Sequence, residues 1–132
     1  MIDANVLIAA LMRDSTTRRL ILMGSHELHA PRYLMEEVEA HWRELSERAG
    51  LPEGALRGSL RTLRTYVVEH GPEDYAGKLD KARELLRAVD PLDVPYVALA
   101  LAIGADGLWS QDRGLGSVPG VSVFRTADLL KG

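Results

Sequence analysis

Apolar and polar positions follow two rhythms along this chain, short apolar runs alternating with stretches in which apolar residues recur every three or four places. Met1–Ile2 reads as the stub of a strand, and Val6–Arg13 as a helix entered through Asp3-Ala4-Asn5, residue types that cap helix starts. Ser15-Thr16-Thr17 opens a second helix running to Met23 and closed by Gly24. Glu27–Ala30 predicts a strand. Pro31 sits where a helix begins, and Tyr33–Ala49 carries Leu34, Val38, Trp42 and Leu45 at spacings of four, four and three before Gly50 stops it. Pro52 starts a helix with Leu56, Leu60 and Leu63 on one face, and Tyr66–Glu69 predicts a strand ahead of the His70-Gly71-Pro72 break. Glu73–Ala88 has the apolar stripe Tyr75, Leu79, Ala82 and Leu86. Val89–Asp93 is a loop into a nearly all-apolar helix, Val94–Ile103, with Pro95 in its first turn. Gly107–Ser110 and Val121–Phe124 predict short strands, and Thr126–Leu130 a closing helix.

Strands separated by helices imply a parallel sheet with helices on its faces, and ligand sites in such sheets lie outside the carboxyl ends of the strands. Acids fall at those points. Asp3 directly follows the first strand, Asp112 follows Leu108-Trp109-Ser110 by one residue, and Asp93 caps the apolar helix leading into that strand. Each has a plainer reading. Asp3 and Asp93 serve equally as N-caps, a role worth about 1 kcal/mol each, Asp112 as a loop acid, and Glu37 as an exposed charge opposite Trp42. Convergence is the argument against four separate accidents. Gathered carboxylates repel unless cations offset them, and hard oxygen ligands suit Mg²⁺ or Mn²⁺.

Length, charge and composition narrow the class. The 132 residues make a single domain spanning 1–132, and 16 Lys and Arg against 19 Asp and Glu leave a net charge of −3, the wrong sign for a protein that coats nucleic acid through basic residues. With no Cys, thiolate metal sites, disulfides and cysteine nucleophiles are excluded, and a cytoplasmic location is the expectation. The longest apolar runs, Val6–Met12 and Tyr96–Ile103, fall far short of the ~20 residues that span a bilayer, so no membrane partner is expected.

The segment Ile2-Asp3-Ala4-Asn5-Val6-Leu7-Ile8 resembles the opening motif of PIN-domain nucleases. Pro31 to His41, with Glu37, looks like their second motif, Asp90-Pro91-Leu92-Asp93-Val94-Pro95-Tyr96 resembles the third, and Leu108-Trp109-Ser110-Gln111-Asp112 looks like the fourth. The order fits over essentially the whole chain. The resemblance implies a three-layer α/β/α sandwich around a central parallel sheet. It also implies a divalent-metal-dependent endoribonuclease using Mg²⁺ or Mn²⁺, of the kind found as VapC-type toxins paired with a small antitoxin. By it, Asp3, Glu37, Asp93 and Asp112 are the catalytic, metal-binding acids, Asp90 is an outer-shell acid, Asn5 braces the first turn, and Ser110 orients a carboxylate or water. Glu36 is the rival to Glu37 but points about 100° away on the helix. Members of that family usually carry several residues ahead of the first aspartate, whereas only Met1 and Ile2 precede Asp3, so the first strand is expected to be truncated to a stub.

Three further features bear on substrate and partners. His41 lies four residues after Glu37, which on one helix makes it a metal ligand, an orienting partner for Glu37 or a phosphate, or merely a half-buried helix histidine. Arg57, Arg61 and Arg64 form a basic stripe that follows a nucleic-acid backbone or else is a solvated face, and Arg113 adjoins Asp112. The stripes of Tyr33–Ala49 and Pro52–Thr65 exceed what one small core is expected to cover, which predicts a homodimer. The loop Gly114–Gly120 lacks the lysine of a phosphate-binding loop and is read as a turn. The competing functional readings are a non-catalytic nucleic-acid or protein-binding module, and a phosphoryl-transfer enzyme with Asp3 as nucleophile, which would want an acid where Asn5 stands.

Overall fold

The computed structural model describes residues 1–2, 4–12, 16–85, 93–110 and 121–130, and the expected turn at Gly114–Gly120 lies outside them. Along those residues run α1 (Ala4–Leu11), α2 (Thr16–Leu22), β1 (Leu28–Pro31), α3 (Tyr33–Ala40), α4 (Trp42–Ala49), α5 (Glu53–Arg64) and β2 (Val67–His70). Two 3₁₀ turns, Pro72–Asp74 and Ala76–Lys78, lead to α6 (Leu79–Leu85), followed by α7 (Val94–Ile103), β3 (Leu108–Trp109), β4 (Val123–Phe124) and α8 (Thr126–Leu130).

The strands pair in parallel, as the alternation of strands and helices requires. β1 runs beside β2 with Leu28 opposite Val67, and β3 beside β4 with Leu108 opposite Val123. The N-terminal stub joins the two pairs. Ile2 bridges in parallel to Trp109, with the Trp109 N–H donating to the Met1 carbonyl at 2.7 Å, and on its other side the Ile2 N–H donates to the His29 carbonyl at 2.9 Å. A regular parallel ladder would return a second bond from the N–H of residue 31, and Pro31 has none. The spatial order is therefore β2, β1, stub, β3, β4, reversing direction at the stub. That reversal marks the switch point, where the carboxyl ends of the stub and of β3 lie side by side.

The core is built from helix faces against this sheet. Ile2, Leu7, Leu11, Leu34, Leu56, Leu63, Leu99 and Leu108 are fully buried. α7 is apolar on every side because it lies inside, packed on β1, β3 and α6. Two expectations change. Pro31 ends β1 instead of starting a helix: its missing N–H falls on the stub side, and on the β2 side the regular ladder bond comes from Arg32, whose N–H donates to the His70 carbonyl at 2.7 Å. The helix expected over Tyr33–Ala49 is two helices broken at His41, whose backbone leaves the helical range (φ −112°, ψ 23°). Leu34, Val38, Trp42, Leu45, Leu56, Leu60 and Leu63, the stripes on which the expected homodimer rested, are all buried within this one chain. None of the described helices is long and apolar enough to cross a membrane.

Gly107 shows how tightly β3 and β4 approach. A Cβ built there would lie 2.7 Å from the Ser122 carbonyl oxygen and would overlap the Phe124 ring. The backbone oxygen cannot step aside, since it accepts the Leu108 N–H at 2.8 Å. Gly107→Ala is expected to destabilise the protein by about 1–3 kcal/mol, measured by urea unfolding; an unchanged midpoint would mean that the strands part freely.

Candidate active site

Three of the expected residues, Glu37, Asp93 and Ser110, stand in the described structure where the strand ends lead. α3 follows β1 directly and so begins on the carboxyl side of the sheet. α7 precedes β3 across a short turn at Gly104, finishing on the amino side and therefore also beginning on the carboxyl side. The two heads touch. The ring of Tyr33, first residue of α3, lies 6.3 Å from that of Tyr96 in the first turn of α7.

Glu37 is one turn along α3 from Tyr33, on the same side of the helix, and is half-buried beside the fully buried Leu34 and Val38. Glu36 is exposed and turned elsewhere. Burial first, and then the carboxylates of Glu36 and Glu73, hold the Tyr75 hydroxyl above its ordinary pKa, which puts Glu36 near Tyr75.

Asp93 occupies the N-cap position of α7, yet its side chain makes no cap hydrogen bond, and its Oδ2 is closed off from solvent. Part of the reason is local. A cap side chain usually accepts from the N–H of the second or third helical residue, and the second here is Pro95, which has none. The plain cap reading fails for this residue. Ser110 directly follows β3 and is fully buried, its N–H donating to the Phe124 carbonyl at 2.9 Å.

Asp3, Asp90, Asp112 and Arg113 lie outside the described residues, as does the side chain of Asn5. In sequence, Asp3 follows the stub and Asp112 follows Ser110 by two, the two neighbouring strand ends of the switch point. Among the described residues no three His, Cys, Asp or Glu side chains gather as a metal site.

Not every expected residue joins them. His41 caps the break after α3, is exposed, and sits 3.8 Å from Glu44, so the same-face relation to Glu37 lapses where the helix ends. The stripe on α5 is likewise partly engaged. The guanidinium of Arg57 stacks 4.6 Å over the Trp42 ring, and Arg64 grips Glu69 through two bonds of 3.0 and 2.9 Å, which raises its already high pKa. Arg61 is exposed beside them, on the rim of a hollow of about 290 Å³ shared with Glu39. A cavity of about 670 Å³, lined by Met1, His26, Glu27, Gly107 and Phe124 among others, opens at the amino ends of the strands, and neither Glu37 nor Asp93 lines it.

A model of the PIN domain matches residues 1–130. The chain belongs to the PIN-domain family. Among curated relatives of this PIN domain, a VapC ribonuclease of Mycobacterium bovis and ribonuclease VapC9 of Mycobacterium tuberculosis are each 31% identical over 102 residues, 77% of this chain and 77% of theirs. The arrangement of parallel strands among helices is accordingly consistent with the α/β fold of a PIN domain.

Proposed function

We propose that this PIN domain is a divalent-metal-dependent endoribonuclease and the toxin of a toxin–antitoxin pair, working in the cytoplasm on RNA. The observation that carries the reading is the position of Asp93, a half-buried aspartate at the N-cap of α7, the helix that begins on the carboxyl side of the sheet and leads into β3. The ribonuclease names of the two mycobacterial relatives support it.

The donor chemistry fits a hard cation. Glu37 and Asp93 offer carboxylate oxygens, the chain has no Cys to attract softer metals, and in this reading Asp3, Asp112 and the outer acid Asp90 complete the set. Bound Mg²⁺ or Mn²⁺ supplies an acidified water and neutralises phosphate charge. The protein's own share is positional. Glu37 and Asp93 hold oxygens on two helices locked together by the Tyr33–Tyr96 contact, and Ser110, buried at the end of β3, orients a neighbouring carboxylate or water. No side-chain nucleophile is required.

Incubation of purified protein with single-stranded and structured RNA, with Mg²⁺ or Mn²⁺ and then with EDTA, tests this. Cleavage that appears with metal and stops with chelator is expected; intact RNA, or cleavage indifferent to EDTA, would overturn it. RNA bound but never cut would favour the non-catalytic module instead. Of the stripe arginines, Arg61 is the one left clear of Trp42 and Glu69, and Arg61→Ala is expected to lower the slope of log affinity against log salt by about 1. Arg64→Ala, losing a residue already engaged by Glu69, is expected to change that slope less.

A further inference from the structure

On one side of the β1–β2 pair, four titratable side chains make an unbroken hydrogen-bonded row. Glu27 Oε1 lies 2.8 Å from His29 Nε2, His29 Nδ1 lies 2.9 Å from His70 Nε2, and His70 Nδ1 lies 2.7 Å from Asp74 Oδ2. Parallel register sets Pro31 opposite His70 and His29 opposite Val68, so the two rings meet diagonally, 5.2 Å apart and tilted by 32°.

Counting donors decides what can lie between them. A carboxylate only accepts, so Glu27 takes an N–H from His29 Nε2, and Asp74 takes one from His70 Nδ1. With both rings neutral, those are the only N–H groups the pair has. The two nitrogens left over, His29 Nδ1 and His70 Nε2, then face each other as lone pairs at 2.9 Å. A shared proton or a metal ion between them relieves that repulsion.

We propose that His29 Nδ1 and His70 Nε2 form a site for a divalent transition-metal ion of the Zn²⁺ class. Glu27 and Asp74 hold the two rings from behind, the carboxylate–histidine–metal arrangement that fixes ring orientation and raises ligand basicity. Distances fit. Zn–N bonds of about 2.0–2.1 Å at a tetrahedral angle set two nitrogens roughly 3.3 Å apart, so the rings open by only a few tenths of an ångström. Side chains 18% and 15% exposed leave room for water to complete the shell. Imidazole selects against the oxygen-seeking Mg²⁺ and Mn²⁺, which separates this site from the acids at the strand ends. A metal here ties β1 to β2 and to the turn after it, at the root of α3, where Arg32 already bonds the His70 carbonyl.

Calorimetric titration of metal-free protein with Zn²⁺, in saturating Mg²⁺, tests the site. One binding event is expected that persists in Asp93→Asn, weakens about 10–100-fold in Asp74→Asn and disappears in His70→Gln. Nitrogen NMR of the unaltered protein removes any dependence on whether a variant folds: Zn²⁺ is expected to shift His29 Nδ1 and His70 Nε2, and those nitrogens only. Affinity unaffected by His70→Gln, or ring nitrogens unmoved at saturating Zn²⁺ because a proton alone bridges them, would overturn the proposal.

Discussion

Replacing Asp93 by asparagine is expected to lower RNA cleavage in saturating Mg²⁺ or Mn²⁺ by at least about a hundredfold, while moving the melting temperature by less than about 2 °C. The two halves of that expectation come from different properties of one residue. In the proposed role of ligand, the carboxylate contributes a full negative charge that asparagine lacks. A charge-stabilising contact of about 3 kcal/mol at the transition state corresponds to two factors of ten in rate. As a helix residue, the side chain makes no cap hydrogen bond, and asparagine is as good as aspartate at that position in any case, so α7 loses little. Rate and stability measured on the same preparation separate the roles. Undiminished cleavage by Asp93→Asn would remove this residue from the site, and a large fall in melting temperature would return it to the status of a structural cap.

Much of this arrangement was readable from residue pattern, for reasons that differ from element to element. Val94–Ile103 was legible to the residue because proline and glycine bracket an apolar run with no polar face to blur its ends. Gly50 marked its stop through the same chemistry, adopting the left-handed conformation (φ 63°) that glycine enters without strain. The break at His41 left no trace in the pattern. Leu34, Val38, Trp42 and Leu45 stay on the buried side across it, and a bend that preserves the apolar face also preserves its spacing. Glu73–Lys78 deceived in the opposite sense: Tyr75 is buried as its stripe position implies, but the backbone beneath it is two 3₁₀ turns.

The site divides along similar lines. Asp93 stands at an element boundary that apolar spacing and Pro95 define, and Glu37 lies inside α3 beside the apolar Val38. The fate of the basic stripe could not be read from sequence. Arg57 is drawn onto Trp42 and Arg64 onto Glu69 by residues 15 and 5 positions away, and helical spacing carries no information about either. The Glu27–His29–His70–Asp74 row was hidden for the same reason, since His29 and His70 are 41 residues apart and meet only through the β1–β2 register.

Leu99→Ala is expected to destabilise the protein by about 3 kcal/mol, within the 2–5 kcal/mol span for emptying a buried leucine site, and to lower the melting temperature by about 10 °C. Leu99 is fully buried in the middle of α7, whose neighbours β1, β3 and α6 belong to the body of the fold and cannot all collapse onto the space a smaller side chain leaves. Its second consequence concerns the site. Leu99 lies six residues from Asp93, about 9 Å along the helix axis, far enough that cavity and carboxylate should act independently. Cleavage per folded molecule, measured well below the melting temperature, is therefore expected to stay within about threefold of the parent. Asp93→Asn and Leu99→Ala then form a crossed pair on one helix, the first losing chemistry and keeping the fold, the second losing stability and keeping chemistry. Should Leu99→Ala abolish cleavage while the protein remains folded, the head of α7 would be held in position by core packing along the whole helix, and not by the Tyr33–Tyr96 contact at its first turn.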